Sequence, residues 1–205
     1  MSKSLIATVT LTGLLALAPA FAQAPTTSTT SKSKTTHHAA TSTGTTGGTT
    51  SSGLSSADRK FITSAAQGGM LEVELGKIAA QKASNAYVKT FGQRMVDDHS
   101  KANDQLKQLA SQKGVTLSDK LSPAKQKDVD KYNKLSGAAF DRSYISHMVA
   151  DHKQDVAEFQ KESKNGKDAD VKSWASTTLP TLQDHLKMAQ ETSSKLHGSP
   201  KKSGK

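Results

Sequence analysis

The sequence predicts an all-α bundle between positions 54 and 197, and two observations carry this. Apolar residues recur there every three or four positions, the period of one helix face. The same stretch is built from Ala, Leu, Lys, Gln and Asp with few β-branched runs, so local propensity agrees with the pattern. Hydrophobic residues make up 34% of the 205-residue chain and aromatics only 4%, so the core has to be assembled mostly from Ala, Leu, Val, Ile and Met.

The first long helix is predicted over 56–82. Ser55-Ser56-Ala57-Asp58 has the S-x-x-D form of a capping box, and Phe61, Ala65, Gly68, Glu72, Leu75 and Ala79 follow at helical spacing. Ser84 is the expected cap of a second helix, whose apolar row is Val88, Phe91, Met95, Ala102, Leu106 and Leu109 and which Gly114 ends. Ser122-Pro123 opens the next, with proline at the first helical position. Continued to Lys164, that helix would be about 63 Å long against about 40 Å for the first two, and could not bury its stripe. Ser136-Gly137 is the natural break. It leaves a short helix over 123–135 and a long one over 138–164 carrying Phe140, Tyr144, Met148, Val156 and Phe159. After a tight turn at Asn165-Gly166, Asp168 caps the last helix over 169–196, with Val171, Trp174, Leu182, Leu186 and Ala189 inward.

Loop lengths set the topology. The first two long helices are joined by two or three residues, as are the last two, so each pair is an antiparallel hairpin. The connection between hairpins is about 25 residues and holds the short helix. Two hairpins joined by one long crossover is the ferritin-like four-helix bundle. An up-down-up-down bundle with the short helix under one end is the other arrangement that these lengths allow.

Ahead of the bundle the sequence predicts an exported protein. Residues 1–22 form a signal peptide, with Lys3 as basic start, an apolar run from Leu5 to Leu17, and Ala20-Phe21-Ala22 as the cleavage motif. The run is too short to span a bilayer about 30 Å thick, and no later stretch is apolar enough to cross one. Residues 23–53 are a Thr/Ser-rich tether expected to be disordered and cut by protease, with His37-His38 as a weak metal binder at most. Residues 198–205 are a basic tail. The chain has no cysteine, which excludes disulfides, thiolate metal sites, a cysteine nucleophile and a lipidated anchor. The expected location is the periplasm, with association to the outer membrane as the further option.

The net charge of +10 is unevenly spread. Of the 28 Lys and Arg, 22 fall in 54–197 with all 18 acidic residues, so the folded part is only +4. The excess sits on tether and tail (Lys32, Lys34, Lys201, Lys202, Lys205). That distribution fits weak attraction of the tails to anionic envelope surfaces and argues against specific nucleic-acid binding.

Four polar residues fall at one height. Glu72, His99, His152 and His185 each lie about 21–26 Å along their helices, at about 1.5 Å per residue. His99 follows Met95 by four, His152 follows Met148 by four, and His185 follows Leu182 by three, so all three rings sit near apolar faces. Met95-Val96-Asp97-Asp98-His99 is echoed by Met148-Val149-Ala150-Asp151-His152, and Asp184-His185 repeats the pair. Each Asp points about 100° from its His, so it reads as a supporting or surface partner rather than a ligand of the same ion. His152-x-x-Asp155 adds a carboxylate that could join the set. His147, four before Asp151, reads as a surface ion pair. Imidazole and carboxylate donors suit zinc, iron, copper or manganese.

These residues carry a resemblance. Leu71-Glu72-Val73-Glu74-Leu75-Gly76-Lys77, the two Met-Val-x-Asp-His blocks, Phe140-Asp141-Arg142-Ser143-Tyr144 and Leu179-Pro180-Thr181-Leu182 with His185-Leu186 resemble a family of exported bacterial ferritin-like domains of unknown function, often labelled outer-membrane or periplasmic proteins. The resemblance implies the fold and an envelope location, and no reaction. Di-iron ferritins place a Glu three before a ligand His. Here those positions hold Val96 and Leu182, which argues against ferroxidase chemistry.

Other positions admit structural roles. Gly68-Gly69 is expected to mark the close approach of a facing helix, Pro180 to bend the last helix, and Trp174 to lie in the core. There is no G-x-S-x-G, H-E-x-x-H or Gly-rich phosphate loop, so no catalytic residue is assigned. The sequence thus supports a non-enzymatic helical-bundle protein of the cell envelope with a role in stress tolerance. The alternative is a metal-binding or redox protein built on Glu72, His99, His152 and His185.

Overall fold

The computed structural model describes residues 53–198. The predicted leader, tether and tail lie outside the described residues, apart from Gly53 and Gly198. The bundle comprises α1 (Ser56–Lys82), α2 (Ala86–Gln112), a short α3 (Pro123–Asn133), α4 (Gly137–Asn165) and α5 (Ala169–His197). No helix among the described residues is long and apolar enough to cross a membrane.

The sequence signals act where expected, with one exchange. Ser55 accepts from the Asp58 N–H, Ser122 caps α3 with Pro123 in its first turn, and Asp168 accepts from the Asp170 and Val171 N–H groups. Gly114 and Gly137 take left-handed φ of 65° and 57°, so the glycines end α2 and begin α4. The correction is at α2, whose cap is Asn85 rather than Ser84. Ser84 is committed elsewhere, because its N–H and hydroxyl both donate to Asp141 on α4.

Two carboxylates tie the hairpins together. Asp141, in the first turns of α4, accepts from Ser84 N, Ser84 Oγ and Asn85 N in the α1–α2 turn. Asp58, in the first turn of α1, accepts from Lys167 N and Asp168 N in the α4–α5 turn, both at 3.0 Å. Each hairpin turn is therefore held by an aspartate of the other hairpin. These contacts place the start of α4 beside the end of α1, while Lys113 at the end of α2 pairs with Asp168 and Asp170 at the start of α5. The chain thus leaves α2 at one end of the bundle and enters α4 at the other. The connection runs the length of α1, to which Gln67 fastens it through Lys120 O and Ser122 N. This is the ferritin-like crossover; an up-down-up-down chain would begin α4 where α2 ends.

The core is two apolar clusters. Leu71, Leu75, Phe91, Met95, Tyr132, Phe140, Tyr144 and Met148 fill the half near the α1–α2 turn. Phe61, Ile62, Leu106, Phe159, Val171 and Leu182 fill the other, where Trp174 packs 5.4 Å from Phe159 and 6.0 Å from Phe61 between ring centroids. Trp174 is thus a core contact, as expected. Helices α1 and α2 approach closely at Gly76 and Gly92, where a Cβ on Gly76 would lie 2.7 Å from the Gly92 carbonyl. Gly69 also meets a neighbour, the Asn103 side chain, but Gly68 has nothing within 4 Å of where its Cβ would be. Close approach accounts for one glycine of that pair and not the other.

Glu162 lies beside Asp58 at the α4–α5 end. Burial, then the hydrogen bond and charge of Asp58, push its carboxyl up to about 7 from an ordinary value of 4.5. The native state therefore holds a proton there that the unfolded chain releases above about pH 4.5. The stability this contributes is present at low pH and is lost as pH rises towards about 7. Glu162→Gln keeps a donor towards Asp58 without titrating. Between pH 5 and 8 it should lose about 1–3 kcal/mol less than wild type by urea unfolding. Parallel pH profiles for the two proteins would contradict this.

Candidate metal centre

Between the two apolar clusters lies one polar layer. Glu72, His99, His152 and His185 are all buried, with His152 and His185 at 0% exposure. The sequence-predicted set is brought together in full. Ring centroids are 5.8 Å apart for His99–His152, 5.1 Å for His99–His185 and 5.3 Å for His152–His185. One nitrogen from each ring lies within 4.8 Å of those of the other two.

The partners of the rings fix their tautomers. His152 Nδ1 is 3.0 Å from the Met148 carbonyl, which can only accept, so this nitrogen carries hydrogen. His185 Nε2 is 2.8 Å from Asp98 Oδ2, and His99 Nδ1 is 2.9 Å from Glu72 Oε2. Both carboxyls are held below their ordinary values and are anionic. Burial pushes Glu72 up, but the rings, His99 foremost, outweigh it and hold it at about 2. Burial likewise opposes ionisation of Asp98, and His185 and Arg94 overcome it. Each ring thus has one N–H anchored on an acceptor and one nitrogen left over. The leftover nitrogens are His152 Nε2, His185 Nδ1 and His99 Nε2. The first two face each other at 3.3 Å, and the third is buried without a hydrogen-bond partner. Glu72 Oε1 is also unpartnered; it lies 3.3 Å from His152 Nε2 but out of line for a hydrogen bond.

Charge in the layer is opposed. Burial pushes His99 down, but Glu72 outweighs it and raises the ring above its ordinary value. His185 is pushed down to about 4, by burial first and then by His99 and His152, against the pull of Asp98. The three imidazoles cannot all be protonated at once.

Asp155 does not join the rings. It groups with Glu72 and Asp151, one oxygen from each lying within 4.8 Å of the others. The reason is angular. Asp155 is about 40° around the helix from Asp151, four residues back, and about 60° from His152, three back. Burial, then the charges of Glu72, Asp151 and Glu158, push Asp155 up to about 9. Burial and Glu72 likewise raise Asp151.

The Asp-His repeat has three outcomes. Asp98 supports the ring of His185 on α5 rather than that of its neighbour His99, Asp151 joins the carboxylate group, and Asp184 is exposed. The expected His147–Asp151 ion pair is absent among the described residues. His147 instead packs against Tyr132, with ring centroids 5.6 Å apart and planes tilted by 46°, and its Nε2 is buried without a partner. The sequence reading gave Asp98 a supporting or surface role without naming the ring it anchors, and it missed the Met148 carbonyl. Adjacency of Asp98 to His99 was the one available signal, and it pointed to the wrong ring.

A family model described as Domain of unknown function (DUF4142) matches residues 43–192. The chain belongs to this family. No curated protein matches it. Among solved structures, the crystal structure of a DUF305 fragment from Deinococcus radiodurans is similar, with a TM-score of 0.61 at 12% identity. The similarity covers 70% of this chain and 99% of that one. At that identity it speaks for the fold alone, and it agrees with the all-α bundle read from the helices.

Proposed function

We propose that this protein is an exported, non-enzymatic component of the bacterial cell envelope. Its bundle binds one transition-metal ion through His99, His152 and His185, with Glu72 supplying a fourth donor or orienting His99. The observation that carries this is the arrangement of nitrogens. Three buried rings each anchor one N–H on a backbone carbonyl or carboxylate and leave the other nitrogen free, the arrangement that orients imidazole ligands around a metal. Two nitrogens about 2.0–2.1 Å from a tetrahedral ion lie about 3.3 Å apart, which is the His152–His185 separation. The layer is also costly without a ligand, since burying a carboxylate and three imidazoles carries a desolvation penalty that leucines there would avoid.

Binding rather than turnover fits the surroundings. The cavity beside Glu72 and His99 is about 30 Å³, room for an ion or a water and not for an organic substrate. Three imidazoles with a carboxylate suit zinc, copper or iron better than manganese. Withholding such an ion would serve stress tolerance in the envelope. The leader, with Lys3, the apolar run and Ala20-Phe21-Ala22, supports export.

The untagged protein, stripped of metal and titrated with Co(II), should take up one ion per chain and show the intense visible bands of a tetrahedral site. His185→Ala should lose those bands. Failure of wild type to bind, or a weak octahedral spectrum unchanged in His185→Ala, would sink the reading. Fractionation of cells should place the mature chain, beginning at Gln23, outside the cytoplasm; an intact Met1 in the cytoplasm would contradict export.

A further inference from the structure

On the α1–α4 side of the polar layer, three carboxylates converge without partners. Asp151 and Asp155 accept no hydrogen bond and form no ion pair among the described residues, although both are half-buried. The third is Glu72, 1% exposed, with Oε2 spent on His99 Nδ1 and Oε1 unpartnered. One oxygen from each of the three lies within 4.8 Å of the others. An orphaned, fully buried carboxylate oxygen is a costly feature, and it belongs to the residue that the acidic group and the imidazole group share.

The group is reachable from outside. A groove between α1 and α4 is lined by Asp151, Asp155 and Gly68. The small cavity beside Glu72 and His99 is lined by Gly68 and Asp155 as well. The two spaces share these two residues in their walls. Gly68 presents no side chain there, and a Cβ at that position would meet nothing within 4 Å. Close packing does not require this glycine, since a Cβ there would project into open space at the wall that the groove and the cavity share.

We propose that Glu72, Asp151 and Asp155 form a second cation position, for a hard divalent ion such as Mn²⁺, beside the tri-histidine position and sharing Glu72 with it. All its protein donors are carboxylate oxygens, which favour manganese, magnesium or calcium over softer ions, and the groove leaves room for water to complete the coordination. Lys125, which also lines the groove, is the cationic group that competes with the ion for Asp151 and Asp155. The sharing of Glu72 rests on the tri-histidine reading; the carboxylate position does not, and the experiment separates them.

The full chain loaded with one equivalent of Zn²⁺ is titrated with Mn²⁺, following loss of the free Mn²⁺ signal by electron paramagnetic resonance. Wild type should bind one Mn²⁺ per chain. D151N/D155N should bind it at least tenfold more weakly while taking up zinc as wild type does. Asp155→Asn alone, the milder change, should weaken Mn²⁺ binding in the same direction, so the result does not depend on the double variant folding. Zinc-loaded wild type that takes no Mn²⁺, or variants that bind Mn²⁺ as wild type does, would overturn the proposal and leave the tri-histidine reading standing. If wild type takes no zinc, that reading fails. The same titration on metal-free protein then decides the carboxylate position: loss of Mn²⁺ binding in the variants supports it, and unchanged binding overturns it.

Discussion

Saturating zinc should raise the melting temperature of the metal-free protein by about 10 °C, and His152→Ala should abolish the rise. An ion that binds only the native state stabilises it by about 2.7 kcal/mol at a hundred times its dissociation constant. For a domain of this size each kcal/mol moves the midpoint by about 3–4 °C. His152 sits at the centre of the site. Its Nε2 is 3.3 Å from His185 Nδ1 and 3.3 Å from Glu72 Oε1, and its other nitrogen is fixed on the Met148 carbonyl. Removing the ring leaves two imidazoles, too few to hold a borderline ion tightly. The ring is also buried, so alanine opens a cavity and lowers the metal-free midpoint by itself. The decisive quantity is therefore each protein's shift relative to its own metal-free state, in which the cost of the cavity cancels. Among ions, manganese should shift wild type least and copper most, following the usual order for nitrogen donors. No shift from zinc, iron, copper or manganese would end the metal reading of the rings. An equal shift in His152→Ala would move the site elsewhere.

Much of this was legible because it is local. Ser122-Pro123, Ser136-Gly137 and Asn165-Gly166 break the helices within two residues of where the structure does, since caps and turns are decided by neighbours in sequence. The common height of Glu72, His99, His152 and His185 was also legible, because helix rise is constant and short loops put adjacent hairpin helices in register. What pairs across the bundle was not. Asp98 reaches His185 over a sequence separation of 87, and Asp58 reaches Lys167 over 109. No periodicity encodes such partners. The cap at Asn85 shows how a distant group changes a local choice: Ser84 and Asn85 are comparable caps, but Asp141 claims the Ser84 hydroxyl. Asp155 shows the limit of face arguments, since a difference of about 20° around one helix decides whether it meets the rings or the carboxylates.

The hairpin-locking aspartates give the largest structural effect. Asp141→Ala should cost about 3–5 kcal/mol in urea unfolding of the metal-free protein. Asp141 is 2% exposed and receives Ser84 N at 3.0 Å, Asn85 N at 2.9 Å and the Ser84 hydroxyl. Alanine removes the acceptor for two backbone N–H groups and a hydroxyl at a buried position, so the loss includes their desolvation and not merely three bonds. It also frees the start of α4, whose cap residue Ser136 makes no side-chain bond to the helix. Asp141→Asn keeps one carbonyl oxygen but turns an amide towards a donor, and should cost about half as much. Asp58→Ala breaks the corresponding lock at the other end, about 40 Å away. Two sites that far apart share no partners, so the losses in D58A/D141A should add to within about 0.5 kcal/mol. The same locks position the rings, because the heights of α4 and α5 against α1 and α2 are fixed at their ends. Asp141→Ala should therefore also weaken zinc binding, although residue 141 lies about three turns along α4 from His152. A stability loss below about 1 kcal/mol would mean that water replaces the carboxylate at the turn, and the hairpins would then be held by the two apolar clusters alone.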